Sequence, residues 1–170
     1  MALVYNKKNA DNSMSLLPYK PPKTLRPLFI IHYAPLLLII MIGPQTALFQ
    51  AWQIPFDQWQ TIIIGSIIFL AGTIFYFKWE LFWHRQYHGQ LVTTGICSKI
   101  RHPHYSSLLI IGYGLALFFY STLALLIATI AIPIMILSVL DEERLLQKQY
   151  GQAYKEYKKQ TPWRLIPYLF

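Results

Sequence analysis

The sequence predicts an all-α, polytopic membrane protein with about four transmembrane helices and a tight helical hairpin near its C-terminus. Hydrophobic side chains make up 55% of the 170 residues and charged ones only 13%, which is too apolar for an ordinary soluble domain. The mean hydropathy of +0.35 agrees with this class. A net charge of +8 could suit nucleic acid. In so apolar a chain, membrane orientation and anionic lipid head groups explain the cations better, so we expect no nucleic-acid partner.

The N-terminal half predicts an arm followed by two transmembrane helices. Residues 1–27 are rich in lysine and proline and lack the hydrophobic stretch of a signal peptide, so we expect a cytoplasmic arm. The first two transmembrane helices are expected within residues 28–79. Residues 28–49 carry no charge, and at ~1.5 Å per residue a helix of this length crosses a hydrocarbon layer of ~30 Å. Pro35 and Gly43–Pro44 predict kinks, and His32 is expected to be a packed or interfacial histidine.

The second span is predicted from Thr61 to about Phe77. The segment that follows, KWELFWHRQYHGQ, mixes aromatic and charged residues, so we expect its helix to continue into the head-group region. Residues 80–170 are predicted to form the functional core of the protein. This core consists of a polar loop, a helical hairpin and an amphipathic tail that breaks near Gly151.

The hairpin follows from two hydrophobic runs with almost nothing between them. Pro103 suits the first position of a helix, so the third span is expected to start at His102–Pro103. Residues 105–120 and 122–140 are apolar and are separated by Ser121 alone, which predicts a tight antiparallel pair. Gly112 and Gly114 predict close contact between helices.

The distribution of lysine and arginine predicts the topology. Five lie in the arm, four between residues 78 and 104, and six after residue 140, so none of the 15 is left for the other two turns. The positive-inside rule then places both termini and the loop before Pro103 in the cytoplasm.

Ionisable residues are expected to collect at the cytoplasmic end of the hairpin. Because the hairpin brings residues 105 and 140 to the same membrane level, Arg101 and His102 should meet Glu142 and Glu143. One interpretation is a set of ion pairs that face water and stabilise the hairpin modestly. The other is a site for a zwitterion, in which the carboxylates face a cation and the Arg/His helix start, with His104, faces an anion. A helix start that only snorkels its cations to the interface is a further alternative.

Metal binding is a weaker interpretation. The spacing of Glu80, His84 and His88 places them on one helix face, and His102 and His104 could supply further nitrogens. This resembles part of the histidine boxes of membrane desaturases. Those enzymes need about twice as many histidines, and Gly89 is expected to end the helix, so we expect no metal. The single cysteine, Cys97, excludes an intramolecular disulfide and a thiolate cluster.

Two motifs carry a family resemblance. The segment LVTTGICSKIRHPHY resembles the signature LV-T-x-G-x-Y-x-x-x-RHP-x-Y of the isoprenylcysteine carboxyl methyltransferases and the related phospholipid methyltransferases. The tail EERLLQKQYGQAYKEYKKQTPWRLIP resembles the second signature of that family, in which a glutamate pair precedes two tyrosines and a final Arg-x-x-Pro. Both occur in the expected order around one hairpin and cover roughly residues 80–168.

The resemblance implies an integral membrane enzyme that binds S-adenosylmethionine in a cytoplasmic cofactor pocket and methylates a membrane lipid or a lipidated substrate. The residues that match cofactor-binding positions of the family are His88, Leu91, Val92, Arg101, His102, Pro103, His104, Tyr105, Glu142 and Glu143. Within this resemblance, His102, Arg101 and Glu142 are the expected catalytic residues. Neither the resemblance nor the composition indicates an oligomeric state.

Three departures from the family pattern bear on the methyl acceptor. Cys97 replaces the motif tyrosine, Ser107 replaces a usual glycine, and the segment before Asp141 lacks the arginine that is taken to grip a substrate carboxylate. Either Arg101, Arg144 or Arg164 takes over this binding of the substrate, or the acceptor is an amine. An amine must lose a proton, for which His102, His104 or a glutamate is the expected base.

Two other classes of protein remain open from the sequence. The RHPxY motif also occurs in membrane reductases of the sterol-reductase type, which use NADPH, although a glutamate pair repels phosphate. A non-catalytic membrane protein that keeps the fold is the other alternative.

Overall fold

The computed structural model describes residues 32–170, and every regular element in this range is a helix. The elements are α1 (Ala34–Leu48), α2 (Gln58–Gln86), a 3-10 turn (Gly95–Ser98), α3 (Pro103–Phe118), α4 (Thr122–Tyr150) and α5 (Gln152–Gln160). The all-α prediction is therefore confirmed for the described part of the chain. The predicted arm at residues 1–27 and the start of the first predicted span lie outside it.

Helix α1 begins at one of the prolines that were expected to bend it. Pro35 occupies the first turn, where its missing N–H leaves no carbonyl unpaired, so the prediction of a kink at this residue is wrong. His32 precedes the helix and is fully buried, with its ring centroid 5.0 Å from that of Tyr105. It is therefore a packed histidine, as expected.

Helix α2 is a single helix of 29 residues that continues well beyond Phe77, as predicted. Asp57 caps its start by accepting a hydrogen bond of 2.8 Å from the backbone N–H of Gln60. It ends at Gln86, so His88 lies outside the helix and cannot share a helix face with Glu80 and His84. The predicted alignment of these three residues is wrong for that reason.

Two helices, α2 and α4, are long and apolar enough to cross a membrane. They are not the buried helices of a soluble core, since only 17% and 33% of their most apolar windows are buried. Large side chains on α2 face outward instead, among them Ile63, Ile67, Leu70, Ile74 and Phe77. A contiguous apolar surface of this kind is typical of contact with lipid or with a partner. Helix α1 is apolar but shorter, with 15 described residues.

Helices α2 and α3 approach each other closely because glycines face the contact. A Cβ atom on Gly72 would lie 2.9 Å from the backbone nitrogen of Ile111. A Cβ on Gly114 would clash with the backbone of Phe69, whereas one on Gly112 would meet only the end of Ile39 at 3.6 Å. Of the two glycines predicted to allow close helix contact, Gly114 is the one the packing requires.

The hairpin of α3 and α4 turns through Phe119, Tyr120 and Ser121, as tightly as predicted. The Ser121 side chain caps α4 by accepting a hydrogen bond of 3.1 Å from the N–H of Ala124. The loop between α1 and α2 lies against this turn, because the N–H of Thr122 donates to the carbonyl of Trp52 at 2.7 Å. The two turns that lack lysine and arginine therefore share one end of the helix bundle.

At the other end of the bundle, the tail folds back onto the start of α3. The chain breaks at Gly151, whose φ of 56° favours glycine, and α5 follows. Beyond α5, the backbone N–H groups of Arg101 and His102 donate to the carbonyls of Trp163 and Arg164 at 3.0 and 2.9 Å. This pairing brings the polar loop, the end of α4 and the tail together.

Candidate functional site

A cleft opens where these three segments meet the end of α2. It has a cavity volume of about 120 Å³ and is partly open to solvent. Its lining residues are Trp83, Tyr87, Gln90, Leu91, Val92, Cys97, Arg101, His102, Glu142, Leu146, Tyr150, Tyr154 and Tyr157. One cleft therefore contains residues from both family motifs.

An ion pair between Arg101 and Glu143 lies beneath the cleft. The guanidinium Nη2 and the carboxylate Oε1 are 2.6 Å apart, and the two side chains are only 4% and 7% exposed. Arg101 also donates to the carbonyl of Thr161, and the Nε of Arg164 lies 3.3 Å from the second oxygen of Glu143. The predicted cluster of opposite charges is confirmed. The expectation that it faces water is wrong, because the tail covers it.

His102 lies between the two glutamates and is buried. Its Nδ1 is 3.5 Å from Glu142, and its Nε2 is 3.5 Å from Glu143. Burial disfavours charge on the ring, but the hydrogen bonds and charges of Glu142 and Glu143 outweigh it, so the pKa of His102 is raised above its ordinary 6.5. The His102 ring, with its raised pKa, and a partly exposed Glu142, with 34% of its side chain accessible, therefore face the cleft together.

The tail already uses N–H groups that the sequence suggested for an anion. Arg101 and His102 donate their backbone hydrogens to the tail, and the hydroxyl of Ser106 donates to the carbonyl of Leu165 at 2.6 Å. The start of α3 is thus fixed by a neighbouring segment, which holds the side chains of Arg101 and His102 in place.

Aromatic rings form the opposite wall of the cleft. The rings of Trp83 and Tyr87 are stacked, with centroids 4.6 Å apart and an angle of 11° between their planes. Trp79 continues the stack at 5.8 Å from Trp83, and Tyr150 hydrogen-bonds with Tyr87. Trp83 is thus stacked on both faces, and the rings of Trp83 and Tyr87 add an aromatic wall to the cleft.

The floor of the cleft is held by the 3-10 turn and α5. The hydroxyl of Tyr157 donates to the carbonyl of Cys97 at 2.6 Å. Burial raises the pKa of the Cys97 thiol to about 11, so it stays neutral and does not act as a nucleophile at physiological pH.

His104 points away from the cleft into an aromatic cluster. Its Nε2 is 2.8 Å from the hydroxyl of Tyr33, and its ring lies 4.7 Å from that of Trp79. Tyr105 is buried in the same region, with its ring 5.6 Å from that of His104. These two residues support the base of the site.

The predicted site residues fall into two groups, those that line the cleft and those that do not. Leu91, Val92, Arg101, His102 and Glu142 line the cleft. The cleft lining does not include Pro103, His104, Tyr105, Glu143 or Arg164. His88 is exposed, and its Nδ1 is 3.0 Å from the carbonyl oxygen of Gln86. Arg144 is 75% exposed and pairs with Asp141 at 2.8 Å.

Sequence reasoning missed the aromatic residues of the lining. The spacing of Tyr150, Tyr154 and Tyr157 is helical and was a usable signal, although Gly151 interrupts it. Trp83 and Tyr87 were attributed to the membrane interface. No group of histidine, cysteine, aspartate and glutamate residues suited to a metal ion occurs within residues 32–170.

Within residues 32–170, the fold and the cleft define an all-helical protein with membrane-type helices and, at one end of the bundle, a mostly apolar cleft that also contains charged side chains. Residues 45–153 match the phospholipid methyltransferase family, and the chain belongs to this family. The resemblance inferred from the two motifs is thereby confirmed. Membership assigns the chain to the membrane methyltransferases that act on lipid-type substrates and favours neither alternative class. No curated protein matches the chain.

Proposed function

We propose that the cleft binds S-adenosylmethionine and that the protein transfers its methyl group to a lipid-borne acceptor at the cytoplasmic surface of the membrane. When bound, this cofactor supplies an electrophilic methyl group on a sulfonium. The observation that carries the proposal is that Glu142 and His102 share one cleft with the stacked rings of Trp83 and Tyr87. The cofactor joins a zwitterionic amino acid to an adenine ring, so its site needs charged side chains for the one and aromatic side chains for the other.

The lining residues fit this cofactor in chemical type. The carboxylate of Glu142 suits the ammonium or sulfonium of the ligand, and His102 suits its carboxylate. The aromatic wall of Trp83 and Tyr87 suits adenine. Leu91 and Val92 follow Gln90 along the lining, where backbone groups and apolar side chains are both available for contact.

Glu143 has a different role in this proposal from that of Glu142. Its oxygens are shared among Arg101, His102 and Arg164, and its side chain is 7% exposed. It therefore positions the tail and His102, whereas Glu142 contacts the ligand. Within a methyltransferase of this kind, catalysis consists mainly of holding donor and acceptor ~3–3.5 Å apart and excluding water.

The arrangement of arginines favours an amine as the acceptor. Arg101 is the only arginine among the lining residues of the described chain, and it is bound to Glu143 and Thr161. Arg144 lies outside the cleft and pairs with Asp141, and Arg164 is bound to Glu143. A carboxylate acceptor would therefore lack a free guanidinium. An amine acceptor must lose a proton, and we assign its acceptance to the carboxylate of Glu142, which lines the cleft and whose pKa the neighbouring His102 helps to lower.

We further propose four transmembrane spans with both termini in the cytoplasm. The two turns without lysine and arginine meet at one end of the bundle, and the cleft lies at the opposite, cation-rich end. This arrangement agrees with the positive-inside rule.

Titration calorimetry on the detergent-purified protein tests the proposal. We expect saturable binding of S-adenosylhomocysteine, no binding of NADPH, and at least tenfold weaker binding of S-adenosylhomocysteine to Glu142→Gln. Glu80→Gln is the matched control, because Glu80 pairs with His84 outside the cleft. Binding of NADPH, or equal affinity in all three proteins, would contradict the proposed function.

A further inference from the structure

Tyr154 matches one of the two tyrosines of the second family signature, but neither the resemblance nor the proposed mechanism has given it a role. Its side chain is completely buried, yet it forms part of the cleft. Its hydroxyl has no hydrogen-bond partner among the described residues. A buried hydroxyl without a partner is unfavourable, so such groups are uncommon in folded proteins and call for an explanation.

The neighbouring tyrosines of the cleft are different. Tyr157 donates to the carbonyl of Cys97 at 2.6 Å, and Tyr150 hydrogen-bonds with Tyr87. Both hydroxyls therefore have a structural role. Along this stretch of the tail, Tyr154 is the tyrosine whose polar atom is not used by the fold.

The ring of Tyr154 is held on two sides. Its centroid lies 5.9 Å from that of Tyr157, and the Nζ of Lys158 lies 5.5 Å from the ring centroid. The hydroxyl therefore cannot turn to solvent without displacing α5 from the cleft. Burial and the nearby charge of Glu143 raise the pKa of the Tyr154 phenol well above its ordinary value, so it remains an O–H donor.

The residues around the Tyr154 hydroxyl show which end of the cleft it faces. Tyr154 interacts electrostatically with Glu143, Arg101 and Glu142, whereas Tyr87 contacts Trp83 and Tyr150. The cleft thus has a charged end near Tyr154 and an aromatic end near Tyr87. In an α-amino acid the ammonium and the carboxylate share one carbon, so an ammonium at Glu142 brings a carboxylate oxygen to the same charged end.

We propose that the Tyr154 hydroxyl donates a hydrogen bond to an oxygen of the amino-acid portion of the ligand and so distinguishes complete ligands from bare adenosine derivatives. This inference rests on the proposed function, since it names a further binding residue of the same cleft. Tyr154 lies just beyond residues 45–153, the part that matches the family.

The test compares Tyr154→Phe with Tyr120→Phe. The Tyr120 hydroxyl donates to the carbonyl of Phe56 at 2.6 Å at the opposite end of the bundle, so its loss affects stability alone. For Tyr154→Phe we expect an unchanged or higher melting temperature without ligand, together with about tenfold weaker binding of S-adenosylhomocysteine. For Tyr120→Phe we expect a lower melting temperature and unchanged affinity.

A second ligand locates the contact. 5′-Methylthioadenosine carries adenosine without the amino-acid portion, so Tyr154→Phe should bind it as well as the wild type does. An equal loss of affinity for both ligands would overturn the assignment to the amino-acid portion. A melting temperature that falls for Tyr154→Phe with no loss of affinity would show the hydroxyl to be structural and overturn the inference. If the wild type does not bind S-adenosylhomocysteine at all, the proposed function itself fails.

Discussion

Replacing Glu143 by glutamine should lower the stability of the protein far more than the same change at the adjacent Glu142. The Glu143 carboxylate contacts Arg101 at 2.6 Å and Arg164 at 3.3 Å, and its side chain is 7% exposed. Glu143→Gln leaves the buried charge of Arg101 without its counter-ion. We expect a loss of about 3 kcal/mol, because the amide still accepts one hydrogen bond and the effect falls at the lower end for a broken buried pair.

Glu142 is the matched control for this effect. Its side chain is 34% exposed, and it forms an ion pair with His102 at 3.5 Å. Glu142→Gln should therefore lower stability by less than about 1 kcal/mol, because the Glu142 side chain is partly solvated and His102 keeps Glu143 as a counter-ion, while it weakens ligand binding.

Thermal unfolding in detergent, followed by tryptophan fluorescence, measures the difference. A loss of 1 kcal/mol lowers the melting temperature of a chain of this size by about 2–4 °C, so Glu143→Gln should melt about 6–12 °C below the wild type and Glu142→Gln less than about 4 °C below it. If the two variants melt together, the division between a structural and a ligand-binding glutamate is wrong. If Glu143→Gln keeps full stability, Arg101 does not depend on it.

The remaining predictions concern packing, pH and the surface. Gly114→Ala should lower stability by about 1–3 kcal/mol because its Cβ meets the backbone of Phe69. Gly112→Ala places its Cβ in ordinary contact and should be neutral or stabilising by up to about 1 kcal/mol. Equal melting temperatures of the two variants would refute the close approach of α2 and α3. Because the pKa of His102 is raised by folding, its contribution is complete below pH 6.5 and is lost as the pH rises through the folded value. The melting temperature should therefore fall as the pH rises above 6.5, and His102→Gln should flatten this slope. Arg144→Ala should change neither the melting temperature nor ligand affinity measurably, since Arg144 is 75% exposed; a tenfold loss of affinity would place it in the site.

The sequence predicted the hairpin and the meeting of its ends because both depend on local features. Two apolar runs with Ser121 between them allow only an antiparallel pair of helices. Pro103 fixes the start of α3, the first helix of that pair. From these alone, Arg101 and His102 were placed opposite Glu142 and Glu143.

The burial of this charge cluster could not be predicted in the same way. It depends on a pairing between residues 101–102 and residues 163–164, which involves two residues on each side and is too short to produce a periodic pattern. The end of α2 at Gln86 was misjudged by two residues for a similar reason. The glycine that favours a break, Gly89, lies three residues beyond the observed end, and this short difference moved His88 off the helix face.

The most direct test of the central claim is methyl transfer in reconstituted vesicles. The purified protein is placed in vesicles that contain phosphatidylethanolamine, S-adenosylmethionine with a labelled methyl group is added, and label is counted in the extracted lipid. We predict label in the ethanolamine head group with the wild type and at least a tenfold loss with Glu142→Gln. Label that stays in the aqueous phase with the wild type, although S-adenosylhomocysteine binds, would contradict an amine lipid acceptor, and absence of both binding and transfer would contradict the account as a whole.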